Sequence, residues 1–243
     1  MNVVILAAGR GSRMGGVTSN IPKALLPMGD ETIISRLIRQ VRKHTDDLIT
    51  VVIGHGQEEM AAHLASLPFI NIRTIYNEKY KDDINIWSLY LAIQEARAST
   101  LVIEGDIVAS SDCIERVFLA SESDDSIWFT KDKIVSPQYG GVLQTDENLQ
   151  VVDIQLIKEF DLSYENFKKT IGILKIGSNE IETYIELMEK YSQESIKQYY
   201  MMPWIDNLAE LNCKECDLAG LAITTFNELG EYQNSIAKFT SPK

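Results

Sequence analysis

The sequence predicts an α/β fold in which a mixed, mainly parallel sheet carries helices on both faces. Three observations predict it: short β-branched apolar runs alternate with segments of helical spacing, their connections are short, and a glycine-rich loop directly follows the first apolar run. The chain has 243 residues, which is long enough for one large domain with a full hydrophobic core.

The first half of the chain alternates strands and helices. Apolar runs predict strands at residues 3–6, 48–53, 70–76 and 101–104, and helical spacing predicts helices at 32–43, 57–66 and 86–98. Parallel sheets bind ligands beyond the carboxyl ends of their strands. We therefore expect the loop 9–16, Gly54, His55, Asn77 and Asp106 along one edge of the sheet.

The second half has a different pattern. Shorter strands, some of them antiparallel, are predicted at residues 126–133, 140–143, 151–156, 170–176 and 219–224, and helices at 180–191, 199–211 and 226–239. No internal repeat or linker divides the chain, so we expect a single domain over residues 1–243.

Composition and charge restrict the partners. The chain is 45% apolar and 24% charged, as in an ordinary globular protein, and its net charge is −12. An acidic surface disfavours nucleic acid and anionic membrane as the main partner. It is compatible with a local pocket for a small anion, and Arg10, Arg13 and Lys23 lie close enough in sequence to form one.

The start of the chain and its cysteines indicate the compartment. The first residues lack a basic region and a long apolar region, so we expect no signal peptide, and no apolar run reaches the roughly 20 residues of a membrane helix. Cys213 and Cys216 have C-x-x-C spacing without a second pair, which favours buried or incidental thiols over a zinc site. The expected location is the cytoplasm.

The most informative segment follows the first strand. It reads L-A-A-G-R-G-S-R-M from Leu6 to Met14, and P-K-A-L-L-P follows from Pro22 to Pro27. Glycines let backbone N–H groups approach an anion, Arg13 can place two donors on phosphate oxygens, and Lys23 supplies a point charge for a reacting phosphate. A dinucleotide fingerprint lacks its third glycine here, the P-loop pattern is absent, and a purely structural loop would not need both cations.

This segment resembles the signature of the sugar-phosphate nucleotidyltransferase superfamily, well over residues 1–110 and more loosely afterwards. The resemblance implies a Rossmann-like sheet of the GT-A type, a Mg²⁺-dependent transfer of a nucleoside monophosphate, and release of pyrophosphate. It also implies a nucleotide-binding half at residues 1–110 and an acceptor-binding half at 111–243. The implied nucleotide-binding positions in the loop and beyond it are Leu6, Ala7, Ala8, Gly9, Gly11, Ser12, Arg13, Lys23 and Gly105, with Arg13 and Lys23 catalytic.

A second stretch, residues 77–91, resembles choline-phosphate and phosphonate cytidylyltransferases. It favours CTP as the donor and a small phosphorylated or phosphonate acceptor, and it makes Asn85 and Ser88 candidates for contacts to the cytosine or ribose. Asn85 could instead, or in addition, cap the helix predicted at 86–98, because Asx side chains satisfy free N–H groups at helix starts.

The resemblance implies one metal ligand and leaves a second in doubt. Asp106, directly after a predicted strand, matches the magnesium aspartate, and Glu104 is a nearby second acid. A late aspartate is expected where the sequence has Thr224, and a hydroxyl is a weaker magnesium ligand. Asp206 or Asp217 could substitute for it.

The acceptor is expected in the second half, with Tyr139, Tyr199, Tyr200 and Trp204 as aromatic candidates, although aromatic residues at helical spacing are more often core residues. A sugar-1-phosphate uridylyl-, thymidylyl- or guanylyltransferase is the alternative enzyme. Thr224 motivates a nucleotide-binding regulatory protein without catalysis, and the missing third glycine disfavours an NAD-type oxidoreductase. The sequence leaves the oligomeric state open, with a homodimer among the options.

Overall fold

The computed structural model describes residues 1–18 and 21–240, which form an α/β fold. The strands are β1 Asn2–Ala7, β2 Pro27–Met28, β3 Glu31–Thr32, β4 Ile49–Ile53, β5 Ile72–Tyr76, β6 Thr100–Glu104, β7 Val108–Ala109, β8 Ile127–Lys133, β9 Gly140–Thr145, β10 Val151–Ile157, β11 Lys168–Ile176, β12 Lys214–Asp217 and β13 Ile223–Thr224. The helices are α1 Ile33–Val41, α2 Gln57–Ser66, α3 Ile86–Ile93, α4 Ser111–Ala120, α5 Ile181–Glu194, α6 Met202–Asp206 and α7 Leu229–Thr240.

One large mixed sheet organises the fold. Its main path runs β10-β9-β11-β6-β1-β4-β5, and β8 pairs with both β11 and β12. The strands β6, β1, β4 and β5 are parallel neighbours, whereas β11 is antiparallel to β6, β8 and β9. The predicted mixed sheet with a parallel first half is therefore confirmed.

Helices cover both faces of the sheet, as predicted, because side chains alternate along each strand. On one face Val3 and Ile5 of β1 pack in a cluster with residues of α1, α2 and α4. On the other face Val4 packs in a cluster with residues of α3, α5 and α6. The cysteines at 113, 213 and 216 are buried and free, so they contribute to the core.

The second half departs from the sequence pattern in several elements. Helix α4 was not predicted, although Ser110 caps it and its buried residues have helical spacing. The helix expected at 199–211 is only Met202–Asp206, since Asn207 leaves helical geometry and its side-chain amide binds the Pro203 carbonyl. The strand expected at 219–224 is two residues long, and β12 precedes it.

Among the helices of the described residues, none is both long and apolar enough to cross a membrane.

Candidate functional site

A cavity of about 400 Å³ lies at the carboxyl ends of β1 and β6, a size typical of small-molecule sites. The sequence-predicted residues that line it are Leu6, Ala7, Ala8, Gly9, Gly11, Ser12, Arg13, Lys23, Asn85, Ser88, Gly105 and Asp106. Arg10 also lines it, so the structure brings all three early cations into one cavity.

Close backbone packing shapes the loop after β1. Gly11 has φ +61°, in the region that favours glycine, and an added Cβ would lie 3.3 Å from Cβ of Lys23. The Thr18 hydroxyl donates to the Gly11 carbonyl at 2.8 Å. At Gly105 an added Cβ would lie 2.9 Å from the Leu6 carbonyl oxygen, so only glycine lets the β6 turn pass this close to β1.

Lys23 is held between an acid and an aromatic ring. Its ammonium donates to Oδ2 of Asp106 at 2.5 Å, and both side chains are mostly buried. The same nitrogen lies 4.6 Å from the centroid of the Phe226 ring, within range of a cation–π contact. These two contacts fix the direction of the ammonium at the floor of the cavity.

Arg13 links the loop to the second half of the chain. Its guanidinium donates to the Tyr139 hydroxyl at 2.9 Å and to the side-chain oxygen of Asn227 at 2.8 Å. The side chain is exposed, so these partners are exchangeable for a ligand. A guanidinium presents a planar set of donors that suits phosphate oxygens.

A buried polar network forms the wall opposite the loop. The Asp83 carboxylate accepts from the backbone N–H groups of Trp87 at 3.0 Å and Ser88 at 2.9 Å, and thereby caps α3. The Ser88 hydroxyl donates to Asp83 at 2.7 Å and accepts from the Asn77 amide at 2.8 Å. Burial raises the pKa of Asp83, against the opposing effect of these hydrogen bonds.

The structure corrects the expectation that Asn85 caps α3. Its side chain makes no cap hydrogen bond, because Asp83 occupies that role. The Asn85 side-chain oxygen instead accepts from the backbone N–H of Tyr200 at 2.9 Å. Asn85 therefore connects the cavity wall to the segment before α6.

Glu104 lies beside Asp106 at the end of β6 and also lines the cavity. Burial, followed by repulsion from Asp106, raises the pKa of the Glu104 carboxyl to about 7. The Tyr200 hydroxyl donates to its Oε1 at 3.2 Å. Gly172 has φ +73° in β11, and an added Cβ there would lie 2.5 Å from Oε2, so a glycine makes room for the carboxylate.

The acids of the cavity fit a divalent cation only in part. Oδ1 of Asp106 is buried and has no hydrogen-bond partner among the described residues, which leaves it available as a ligand. Thr224 pairs with Val108, which follows Asp106 by two residues in the chain. The Thr224 hydroxyl donates to the Thr225 carbonyl at 3.0 Å. Residues 1–18 and 21–240 contain no cluster of three metal-ligating side chains, so phosphate oxygens would have to complete the coordination.

The aromatic candidates for the acceptor fall into two groups. Tyr199 lines the cavity, and Tyr139 reaches Arg13. Trp204 is completely buried and packs on Trp128, so the structure does not support the prediction that it contacts the acceptor. Tyr200 lies outside the cavity lining, is 3% exposed, and contacts the cavity residues Glu104 through its hydroxyl and Asn85 through its backbone N–H.

Sequence reasoning missed Asp83 and Asn227, both of which line the cavity. Asp83 had a detectable signal, because an acid shortly before an apolar helical pattern is a common cap. Asn227 had none, since only the folded chain brings it next to Arg13. The suggested substitutes for the late aspartate, Asp206 and Asp217, do not line the cavity; they bind Tyr191 and Lys168 respectively.

Comparisons with known proteins show the family of the chain. A family model described as a MobA-like NTP transferase domain matches residues 3–144. A choline-phosphate cytidylyltransferase of Streptococcus pneumoniae is 25% identical over 231 residues, which cover 82% of this chain and 95% of the relative. The bifunctional protein GlmU of Methanococcus aeolicus is 27% identical over 155 residues, or 64% of this chain, and the match spans only 36% of that longer relative.

A solved structure gives the same fold. The CTP:phosphocholine cytidylyltransferase of Streptococcus pneumoniae superimposes with a TM-score of 0.79 at 22% sequence identity, over 96% of each chain. The prediction of a Rossmann-like nucleotidyltransferase fold is confirmed.

Proposed function

Because the chain belongs to the family of MobA-like NTP transferase domains, a family of nucleotidyltransferases, we propose that it transfers CMP from CTP to a small phosphorylated or phosphonate acceptor. In this reaction an acceptor oxygen attacks the α-phosphorus, the bond to the β-phosphate bridging oxygen breaks, and pyrophosphate leaves with that electron pair. A phosphate or phosphonate acceptor is already largely ionised near pH 7, so the reaction requires no dedicated general base.

One observation carries the proposal: the glycine loop, Arg13, Lys23 and Asp106 face the same cavity. Phosphoryl and nucleotidyl transfers depend mainly on positioning and on neutralising charge. In the proposed complex Arg13 contacts the β- and γ-phosphates, and Lys23 contacts the α-phosphate. Backbone N–H groups of Gly9 and Gly11 complete the triphosphate site.

A divalent metal is part of the proposal, and nucleotidyltransferases of this family generally use one. Asp106 would hold it through the free Oδ1 atom, and we propose Mg²⁺ because carboxylate and phosphate oxygens are its preferred ligands. When bound, the ion supplies positive charge to the phosphates during transfer. Lys23 already binds the other oxygen of Asp106, so this lysine keeps the carboxylate oriented.

The wall around Asp83 supports CTP as the donor. Cytosine presents an exocyclic amine that donates hydrogen bonds, whereas uracil presents a carbonyl at the same position. Asp83 and the Asn85 side-chain oxygen are acceptors at the cavity, and Oδ1 of Asp83 accepts from the Trp87 N–H at 3.0 Å with lone-pair capacity left. The Ser88 hydroxyl is already engaged by its neighbours, so we propose that it positions Asp83.

The acceptor is proposed to enter from the second half, residues 111–243, while residues 1–110 bind the nucleotide. Tyr199, from the second half, lines the cavity, and Tyr139 binds Arg13, which also lines it. Relatives with full-length matches include one named for choline phosphate, which places a small phosphorylated alcohol among the first acceptors to test.

The proposal is tested with a panel of nucleoside triphosphates and acceptors. The protein is incubated with Mg²⁺, one of CTP, UTP, dTTP or GTP, and one of phosphocholine, 2-aminoethylphosphonate or glucose 1-phosphate, and pyrophosphate release is measured. We expect release with CTP and a small phosphorylated or phosphonate acceptor. The Lys23→Ala variant, purified identically, is the control for contaminating transferases. Release with UTP, dTTP or GTP and glucose 1-phosphate alone would establish the sugar-phosphate alternative instead.

Thr224 favours a second candidate, a nucleotide-binding protein without turnover. A hydroxyl, not a carboxylate, stands at position 224, opposite Val108, and the described residues contain no cluster of three metal-ligating side chains, so metal-assisted transfer would weaken accordingly. Thermal stabilisation by CTP and Mg²⁺ without any pyrophosphate release in the panel would support this candidate and contradict the enzyme proposal.

A further inference from the structure

Lys169 is a largely buried lysine at the start of β11. Its ammonium donates to the carbonyl oxygens of Gly141 and Thr170, both at 3.2 Å, which is long for a hydrogen bond from a cation. Within residues 1–18 and 21–240 it forms no ion pair with a carboxylate. Burial lowers the pKa of Lys169 to about 8, against the attraction of Glu104, so the side chain remains mostly cationic at pH 7.

The position of this ammonium is defined by residues of the cavity. Glu104, which lines the cavity, acts on it electrostatically. Gly140 has φ +101°, and an added Cβ there would lie 3.0 Å from Nζ of Lys169. The preceding residue, Tyr139, accepts a hydrogen bond from Arg13. Lys169 does not itself line the cavity; it lies next to Gly140, the residue after Tyr139, and within electrostatic range of Glu104.

Other lysines of the same strands have strong or exposed partners. Lys168 pairs with Glu215 at 3.1 Å and with Asp217 at 3.0 Å, so its charge is neutralised locally. Lys133 is exposed and donates to the side-chain oxygen of Asn166 at 2.9 Å. By contrast, the two carbonyl oxygens use two of the three donors of the Lys169 ammonium, and no carboxylate among the described residues neutralises its charge.

We propose that Lys169 binds the phosphate or phosphonate group of the acceptor, an inference that rests on the proposed function. Two anions must approach each other in the transfer, and Arg13 and Lys23 face the nucleotide. A third cation, Lys169, which Glu104 attracts electrostatically, would hold a non-attacking oxygen of the acceptor. Another oxygen of the same group then remains free to attack the α-phosphorus.

This role explains the weak bonding of Lys169 in the protein alone. Keeping a cation beside carbonyl oxygens at 3.2 Å leaves its desolvation poorly compensated. An incoming phosphonate oxygen would form a shorter, charge-assisted hydrogen bond and recover that cost. The Lys169 ammonium is therefore better satisfied with the acceptor bound than without it. This is expected for a binding residue, whereas a structural lysine would be satisfied in the protein alone.

The test separates acceptor binding from nucleotide binding. The protein is first saturated with Mg²⁺ and the unreactive analogue α,β-methylene CTP, and methylphosphonate is then titrated by calorimetry. We expect Lys169→Met to weaken methylphosphonate binding by at least roughly tenfold, since one charge-assisted hydrogen bond is lost. Lys133→Met is the matched control and should bind like wild type. The affinity for the CTP analogue should be equal in all three proteins.

The unfolding temperature of Lys169→Met distinguishes a binding role from a structural one. Loss of a structural lysine would lower it. Lys169→Met removes a poorly compensated buried charge, so its unfolding temperature should equal or exceed that of wild type. Lower stability together with unchanged methylphosphonate affinity would show a structural lysine and overturn the inference.

Two further results are distinguishable. If wild type binds the CTP analogue but not methylphosphonate, or if Lys169→Met weakens only the nucleotide, the inference is overturned while the proposed function stands. If wild type binds neither compound, the proposed function itself is contradicted, and the inference with it.

Discussion

The two halves of the sheet contribute to the cavity in different ways. In residues 1–110 parallel strands end at one edge, and the loops that follow β1 and β6 supply consecutive residues to the cavity. In the second half β11 is antiparallel to three neighbours, with register shifts against β8. Its cavity residues are single side chains from separate segments, such as Tyr199 and Asn227.

This difference suggests that the two halves have different tasks: the first binds a group common to many reactions, and the second selects the acceptor. A loop after a parallel strand presents several backbone N–H groups at once, which suits a triphosphate common to many reactions. Single side chains in the loops between elements, such as Tyr199 and Asn227, can be exchanged one at a time without moving the sheet. We therefore expect the first half to determine the chemistry and the second half to determine which acceptor is used.

The largest expected effect concerns an aromatic residue of the second half that the cavity does not use. Trp204 is fully buried against Trp128 and Tyr184, so Trp204→Ala should lower the free energy of unfolding by about 3–5 kcal/mol. Trp204→Phe should cost much less and leave turnover per folded molecule unchanged. Urea denaturation followed by tryptophan fluorescence and circular dichroism measures both.

Tyr199 provides the matched comparison, since it lies close in sequence, is 40% exposed and lines the cavity. Tyr199→Ala should change stability by less than about 1 kcal/mol but raise the KM for the acceptor. If Trp204→Phe raised the acceptor KM while Tyr199→Ala did not, the assignment of core and cavity residues would be reversed.

The next effect concerns catalysis in the first half. Lys23→Ala should reduce kcat by about 10² to 10³, because it removes a positioned cation from the reacting phosphate. Lys43→Ala, an exposed lysine after α1, is the control and should have wild-type turnover. Circular dichroism should show that both variants are folded. Near-normal kcat in Lys23→Ala would remove this residue from the proposed mechanism.

The same difference between halves explains what the sequence could predict. The glycine loop after β1 is local in sequence, so its motif is enough to predict that Gly9, Gly11 and Arg13 lie together at the cavity. The parallel strands were equally legible, because buried apolar runs alternate there with helices. Asn227 could not be found, since only a contact between residues 214 positions apart brings it next to Arg13.

Aromatic residues were the least reliable guide. Trp204 and Tyr199 lie in the same short stretch of sequence, so the sequence does not distinguish them. Only the fold shows that Trp204 is a core residue and that Tyr199 lines the cavity. The direction of a side chain on a short helix depends on which neighbours cover it. Asp83 is different, because an acid shortly before α3 is a readable cap signal, although Asn85 stands closer to the start of the helix.

Asp83→Ala should have an intermediate effect that sharpens the role of the first half. It removes the acceptor for the N–H groups of Trp87 and Ser88, and the expected loss in the free energy of unfolding is about 2–3 kcal/mol. The KM for CTP should rise as well. Asp82→Ala is the neighbouring control, since its side chain is 66% exposed and its ion pair with Lys197, at 3.9 Å, is weak. Equal stability of the two variants would contradict the capping role.

The smallest effect tests whether the second half has lost a metal ligand. Thr224 lies opposite Val108 in the ladder that follows Asp106, so Thr224→Asp should add a carboxylate near the proposed Mg²⁺. We expect the Mg²⁺ concentration for half-maximal pyrophosphate release to fall by roughly fivefold, or about 1 kcal/mol of binding free energy. Thr225→Asp adds the same charge one residue later, after β13 has ended and without a partner in the ladder beside Asp106, and should leave the titration unchanged. Equal shifts in both variants would mean that added negative charge, not coordination, determines the metal requirement. No shift in either would mean that Asp106 and the phosphates already satisfy the ion.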